Sequence, residues 1–170
     1  MITVEQADDL LQQIDTNWGV CSYDIHHSEG EVLRETIVAD RDFPPFNRVA
    51  MDGYAIKFVV WEEGNRKFTI QKEQRAGDPQ LNLNNKFNCI GVSTGGILPE
   101  GCDCVIKKED IVKKPQYIEI PKSVSIKTNQ NIHHQGSDYT SSKTLIRPGV
   151  IISPAEIGVL ASVGKYSVKV

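Results

Sequence analysis

Apolar residues at helical spacing predict a helix near each end of the chain. The first runs from Thr3 to about Asn17, with Thr3 and Gln6 forming a capping box. Its apolar positions are Val4, Ala7, Leu10, Leu11 and Ile14. The second begins after Ser153 and ends before Gly164, with Pro154 at its first position and Glu156 as the capping partner.

Between these helices the pattern changes to short runs of alternating or β-branched residues, separated by Gly, Pro or Asn. The runs predict strands at 20–25, 32–38, 53–60, 68–72, 87–92, 104–108 and 116–120. Segment 144–152 predicts two more strands around a turn, and 166–170 predicts a last one.

The order of elements therefore predicts an α+β fold that is rich in β-structure. We expect a mixed α/β subdomain formed from both chain ends, residues 1–42 plus 140–170. The residues between, 43–139, are expected to form an inserted β subdomain, a barrel-like or coiled sheet.

Composition narrows the classes of function. The 170 residues include 19 basic and 22 acidic side chains, a net charge of -3, which argues against a nucleic-acid partner. No apolar run approaches the roughly 20 residues that span a bilayer, so no membrane partner is expected. The first residues lack the basic and apolar parts of a secretory signal, and we expect a cytoplasmic protein.

Four cysteines, Cys21, Cys89, Cys102 and Cys104, are spread along the chain. Buried thiols in a reducing compartment are favoured over a zinc site, because no second pair of ligands is evident. A structural metal module that uses Cys102, Cys104 and histidines stays open as an alternative.

Three polar segments carry candidate chemistry. Segment 43–55 has two prolines and then Asp52, so a stiff loop presents a carboxylate that suits a ligand or metal; a Pro-rich turn is the alternative. Ser93-Thr94-Gly95-Gly96 follows a strand and suits an anion, or is a plain Gly-rich turn. Asp138 closes segment 131–138, where it suits a magnesium or substrate site.

The remaining charged groups favour ordinary surface roles. His133 and His134 fit a solvated loop, and the lysine pairs at 107–108 and 113–114 fit a solvated hairpin of mixed charge. No Ser-His-Asp or Cys-His unit can be assembled. The chain is therefore better suited to ligand and metal binding than to covalent catalysis.

The three segments in this order resemble the N-terminal region of the MoeA/gephyrin family of molybdopterin molybdenumtransferases. The motifs are Pro45-Phe46-x-x-x-Ala50-Met51-Asp52-Gly53-Tyr54-Ala55, Ser93-Thr94-Gly95-Gly96-x-Leu98-Pro99-Glu100-Gly101 and Asn131-Ile132-x-x-x-Gly136-x-Asp138. The tail Leu145-x-x-Pro148-Gly149, with Ile157-Gly158-x-Leu160-Ala161-Ser162-x-Gly164, is similar to the end of that region. The resemblance covers nearly the whole chain.

The resemblance implies a function. Family members insert molybdate into adenylylated molybdopterin in a Mg²⁺-dependent step that releases AMP. They are homodimers whose cleft lies between the N-terminal β domain of one subunit and the catalytic domain of the other, and a molybdopterin adenylyltransferase acts upstream. By this resemblance Asp52, Thr94 and Asp138 are the candidate catalytic residues, and Gly53, Ser93, Gly95 and Gly96 would bind the cofactor.

No metal ligand is assigned to this chain, because the magnesium and molybdate sites are expected mainly in the family's catalytic α/β domain. That domain and the C-terminal β domain are absent from the 170 residues. We therefore expect this chain alone to have no transferase activity. The alternative function is a non-catalytic assembly module, since gephyrin-like members also act as scaffolds.

The chain departs from the family pattern at three places. Asn47-Arg48-Val49 replaces the frequent Asp-Asn-Ser, and Gly96 replaces an alanine. His133-His134-Gln135 replaces an Arg-rich run, which removes fixed positive charge near Asp138. The sequence leaves open whether these histidines take over the basic contacts.

Overall fold

The computed structural model describes residues 2–14 and 19–170. Its helices are α1 (Val4–Gln12), α2 (Phe58–Glu62) and α3 (Pro154–Ser162). Its strands are β1 (Ser22–Asp24), β2 (Ile37–Val38), β3 (Arg48–Val49), β4 (Gly53–Ile56), β5 (Lys67–Gln74), β6 (Asn88–Val92), β7 (Cys104–Lys107), β8 (Val112–Lys113), β9 (Tyr117–Glu119), β10 (Ile132–His133), β11 (Thr144–Ile146) and β12 (Ser167–Lys169). The prediction of a β-rich α+β fold is confirmed.

The chain divides into two compact units. Unit 1 is Met1–Val38 with Thr144–Val170, and unit 2 is Ala39–Lys143. The sequence places these boundaries at 42/43 and 139/140, a few residues inside unit 2.

Unit 1 is built on two short antiparallel strand pairs, β1 with β12 and β2 with β11. Helix α3 is capped as its sequence predicts, because Ser153 accepts from Ala155 N–H while Glu156 accepts from Ser153 N–H. The core of the unit is aliphatic: Ile25, Leu33, Ile37, Ile146, Ile152, Leu160 and Val168.

Helix α1 has the predicted capping box of Thr3 and Gln6 but buries none of its residues. It begins where the sequence predicts and ends at Gln12. The last part of the predicted helix, residues 15–17, lies outside the described residues.

Unit 2 contains a curled six-stranded sheet in the order β7-β4-β6-β5-β9-β8. Only β5 and β6 run parallel; the other neighbours are antiparallel. Every residue of the central strand β4 is buried, since alternate side chains enter two different cores. Tyr54 and Ile56 pack with Phe68 and Ile106, whereas Ala55 packs with Ile90.

The predicted strand at 53–60 is wrong after Ile56, where the chain turns into α2. Two contacts from Asp103 explain the change: its Oδ1 accepts from Phe58 N–H at 2.6 Å, and its Oδ2 lies 2.7 Å from Lys57 Nζ. A residue 45 positions away thus ends the strand, which local propensity does not reveal. The predicted strand at 32–38 is also reduced, to β2 and an isolated bridge from Val32 to Ile151.

Within the described residues, no helix combines the length and the apolar character needed to cross a membrane.

Candidate functional site

The sheet of unit 2 brings Asp52 and Thr94 together, although 42 positions separate them. Asp52 precedes β4, and Thr94 follows β6 in a turn. Because β4 and β6 are antiparallel with Gly53 opposite Val92, the start of one strand meets the end of the other. Asp52 Oδ1 accepts from both the backbone N–H and the hydroxyl of Thr94, each at 2.8 Å.

Lys108 completes this cluster from a third direction. It follows β7, whose Lys107 lies opposite Gly53 on the other side of β4. The Lys108 N–H donates to the backbone oxygen of Asp52 at 3.2 Å, and its Nζ lies 3.6 Å from Asp52 Oδ2. The charge pattern predicts a solvated hairpin for Lys108, and no local signal marks its contact with Asp52, since that contact depends on strand register.

These contacts set the chemical state of Asp52. The Thr94 N–H, then the Thr94 hydroxyl, and more weakly Lys108 lower the pKa of the carboxyl below its ordinary value. Asp52 is therefore ionised at neutral pH and acts as an acceptor rather than a proton donor. Its Oδ1 is held by two bonds, whereas Oδ2 has one long ion pair and stays available to a ligand.

A cleft of about 180 Å³ opens beside the cluster. Its charged lining residues are Asp52, Glu73, Arg75 and Lys108, and Gly53 and Ser93 also line it. Gly53 and Ser93 therefore lie in the cleft wall with Asp52, and their contact with a ligand stays a prediction. Thr94, Gly95, Gly96 and Asp138 do not contribute to this lining.

The backbone N–H groups of the turn at 94–96 are already bonded to acceptors within the protein. The N–H groups of Thr94, Gly95 and Gly96 donate to Asp52, Val49 and Ser93 respectively. Gly95 has φ +83°, a conformation that favours glycine. The turn consequently shapes the site, and positive charge for an anion has to come from nearby side chains.

Asp138 lies apart from the Asp52 cluster in its contacts. It follows β10, its N–H donates to Phe43 O at 3.0 Å, and its side chain is exposed. Among the described residues, no hydrogen bond or ion pair links its carboxylate to Asp52 or Thr94.

Two of the departures from the family pattern meet in the structure. Strands β3 and β10 pair with Arg48 opposite His133, and Arg48 Nη2 lies 3.1 Å from His133 Nδ1. His134 makes no such contact with Arg48. The sequence did not reveal this pairing, because 85 positions separate the two side chains.

The donor set does not build a metal centre. Over residues 2–14 and 19–170, no group of three or more His, Cys, Asp or Glu side chains could hold a metal ion. Desolvation by burial raises the pKa of Cys102 and Cys104 to about 12, so neither is a ready thiolate ligand. The metal-module alternative gains no support, and these residues by themselves do not fit a Mg²⁺ site.

The chain matches known sequences over most of its length. A family model described as "MoeA N-terminal region (domain I and II)" matches residues 2–164. The molybdopterin molybdenumtransferase of Synechocystis sp. is 32% identical over 170 residues, which cover 100% of this chain and 44% of that protein. The enzyme of the same name from Haemophilus influenzae is 26% identical over 174 residues, covering 99% and 42%.

Solved structures agree with the sequence matches. The crystal structure of the molybdopterin biosynthesis MoeA protein from Pyrococcus horikoshii OT3 superposes with a TM-score of 0.87 at 29% identity. The match covers 98% of this chain and 44% of that one. The chain thus spans less than half the length of the relatives it matches.

Proposed function

Because this chain belongs to the family of the MoeA N-terminal region, as its motifs predict, we propose that it supplies one wall of a molybdenum-insertion site. The reaction proposed is that of a molybdopterin molybdenumtransferase, in which molybdate enters adenylylated molybdopterin and AMP is released. The homologous proteins carry that name, but the chain spans under half of each. The remaining wall is therefore proposed to come from residues outside these 170.

The observation that carries the proposal is the immobilised carboxylate of Asp52. Two Thr94 donors fix one oxygen, and the other oxygen stays open beside a cleft with acidic and basic walls. A fixed, ionised acceptor that needs no rearrangement can orient a polar or cationic group of a substrate. Asp52 and Thr94 are proposed as one unit, in which Thr94 positions the carboxylate.

Mg²⁺ and Asp138 are also given roles in the proposed site. Since no metal cluster occurs among the described side chains, we propose that Mg²⁺ takes its ligands mainly from the rest of the protein. Asp138 is proposed to face the same cleft in the complete enzyme, with an expected effect smaller than that of Asp52.

The test is Asp52→Asn in the protein as its gene encodes it, including whatever follows Val170. Asparagine keeps an oxygen for both Thr94 bonds and removes the charge, so folding should persist while molybdate-dependent AMP release falls about tenfold or more. Asp40→Asn is the matched control, because the side-chain contact of Asp40 within the described part of the chain is a surface ion pair with Arg41. Unchanged AMP release in the Asp52 variant would refute the assignment.

Activity of the 170-residue chain alone provides a separate test. We expect no AMP release from adenylylated molybdopterin, because the chain offers one wall of the proposed site. Clear turnover by the isolated chain would overturn the proposal of a shared site.

Assembly is the second proposed role, and α1 is the observation that favours it. Its apolar side chains Val4, Leu10 and Leu11 are all exposed, and they would be covered by a second copy of the chain in a homodimer. Light scattering on the wild type and on Leu11→Gln measures this: a dimer that the variant dissociates is expected. A wild-type monomer would count against self-association through α1.

The upstream supplier of substrate is proposed to be a molybdopterin adenylyltransferase.

Reading the gene beyond Val170 separates the enzyme from a scaffold module. A following α/β domain with a Thr-Gly-Asp-Glu type motif supports the enzyme. An immediate stop codon or an unrelated domain supports the assembly module.

A further inference from the structure

Arg48 lies on the outer face of a small ladder that borders the Thr94 turn. Strand β3 pairs with β10 on one side, and on the other side Arg48 bridges to Ile97. Val49 and its partner Ile132 are buried in a core, so their neighbours Arg48 and His133 point to the opposite, outer face. Val49 also exchanges backbone hydrogen bonds with Gly95 and Gly96, which fixes Arg48 next to the turn.

His133 holds the guanidinium of Arg48 in place. Because arginine stays protonated and can only donate, the 3.1 Å contact requires that His133 Nδ1 accepts and that its proton sits on Nε2. This contact uses one of the five guanidinium donors. Among the described residues Arg48 forms no ion pair with a carboxylate, so its positive charge has no local acidic partner.

The neighbouring turn lacks what an anion needs. Its three amides at 94–96 are committed to protein acceptors, and Lys108 already faces Asp52. Two arginines lie near the turn: Arg75 lines the cleft beside Asp52, whereas Arg48 lies on the outer face, where His133 is the side-chain partner of its guanidinium.

We propose that Arg48, positioned by His133, is an oxyanion-binding residue on the outer face of the Thr94 turn and takes a tetrahedral phosphate or molybdate group. The planar guanidinium suits such oxyanions because two parallel donors meet two oxygens. This inference deepens the proposed function and rests on it for the identity of the oxyanion. His133 acts through Arg48 and is a positioning residue.

The test is an NMR titration of the 170-residue chain with inorganic pyrophosphate in one arm and molybdate in the other. We expect saturable shifts of the Arg48 Nε–H signal and of Gly95 and Gly96, in one arm or both. Response to pyrophosphate only assigns the contact to a substrate phosphate; response to molybdate only assigns it to the metal oxyanion. No saturable shift in either arm overturns the inference.

Variants decide whether Arg48 is responsible. Arg48→Gln should weaken binding about tenfold or more, and Arg48→Lys, which keeps the charge without the fork, should weaken it less. The matched control is Arg41→Gln, since Arg41 is an exposed arginine of the same unit paired with Asp40. Binding that persists in Arg48→Gln, or falls equally in Arg41→Gln, overturns the inference.

The role of His133 has its own spectroscopic signature. The ¹⁵N shift of His133 Nδ1 should be that of a hydrogen-bonded acceptor and should move to the value of an unbonded nitrogen in Arg48→Leu, whereas a histidine that merely fills a surface position would show the same shift in both proteins. His133→Leu should weaken oxyanion binding, and His133→Gln, which keeps an acceptor, should restore part of it. A proton on Nδ1, or full binding in His133→Leu, overturns the positioning role.

A failure of this inference can be told apart from a failure of the proposed transferase function. If Asp52→Asn leaves AMP release unchanged while Arg48→Gln abolishes oxyanion binding, the site binds anions but the proposed chemistry is refuted. If Asp52→Asn lowers AMP release while Arg48→Gln binds as the wild type does, the transferase proposal stands and Arg48 is not its anion contact.

Discussion

Gly53→Ala is expected to break the sheet of unit 2 at the point where it supports Asp52. A methyl group at this position would overlap the backbone oxygen of Ile106 and lie 2.8 Å from its carbonyl carbon. Real Cβ atoms essentially never come within 3.0 Å of a heavy atom outside their own residue and its two chain neighbours. The obstacle is backbone of the adjacent strand β7, which cannot rotate away as a side chain can.

The expected loss of unfolding free energy follows from the backbone displacement that the added methyl group requires. Strands β4 and β7 must separate locally by more than about 1 Å to restore van der Waals contact between the methyl carbon and the Ile106 oxygen. A ladder hydrogen bond stretched that far exceeds normal geometry, so one or two are lost at about 1 kcal/mol each. Overpacking in a fully buried strand adds about 1–3 kcal/mol. The total loss of unfolding free energy is roughly 2–5 kcal/mol.

Urea denaturation of the 170-residue chain, read from NMR signals of β4 and β7, measures this loss in unit 2 alone. Gly91→Ala is the matched control in the neighbouring strand β6. Its added methyl meets Glu73 Cγ at 2.9 Å, an exposed and flexible side chain that can yield, so a loss below about 1 kcal/mol is expected. A Gly53→Ala variant as stable as Gly91→Ala would refute the reasoning.

Three further predictions concern single contacts. Thr94→Val should raise the pKa of Asp52 toward its ordinary value, whereas Thr94→Ser should leave it low, as measured by ¹³C titration of the carboxyl; equal pKa values in the two variants would contradict the role of the Thr94 hydroxyl. In the wild type the stabilisation by ionised Asp52 is present above the unfolded pKa and is lost as pH falls through the lowered folded pKa. In the native chain a thiol reagent should modify the exposed Cys21 quickly and spare the buried Cys89, Cys102 and Cys104, because burial raises the pKa of all three to about 12. Rapid modification of more than one thiol would contradict this expectation. At a concentration where the chain is monomeric, Ser153→Ala should lower the unfolding free energy of unit 1 by about 1 kcal/mol in urea, and Thr3→Ala should change it almost not at all, because α1 buries no residue. Comparable losses would show that α1 is packed within the single chain.

The sequence predicts well those elements whose signals are local. The cap of α3 is read from four residues within one turn, and the structure forms it as expected. The start of α2 is not visible in the same way, since it depends on Asp103 and on contacts made only after β7 has joined the sheet. Local propensity at Val59 and Val60 favours a strand, and tertiary contacts override it.

In the candidate site, too, some residues can be identified from the sequence and others depend on tertiary contacts. Ordered motifs identify Asp52 and Thr94 as site residues, although their hydrogen bond joins two elements that are distant in sequence. No motif identifies Lys108 or Arg48, since each meets its partner only through strand register. A charge pattern along the chain cannot indicate which of several exposed cations will lie beside a carboxylate or a histidine.

The way unit 2 interrupts unit 1 has a consequence for biosynthesis. A growing chain completes Ala39–Lys143 before it has produced Thr144, so unit 2 can fold while half of unit 1 is still missing. The two ends of unit 2 then lie together, with Ala39 N–H donating to Lys143 O at 2.8 Å. Once this bond forms, pairing β2 with β11 no longer requires the closure of a loop of about a hundred free residues. Most of the entropic cost of closing that loop has then already been met by the folding of unit 2. Folding of the insert thereby brings the separated halves of unit 1 within reach of each other.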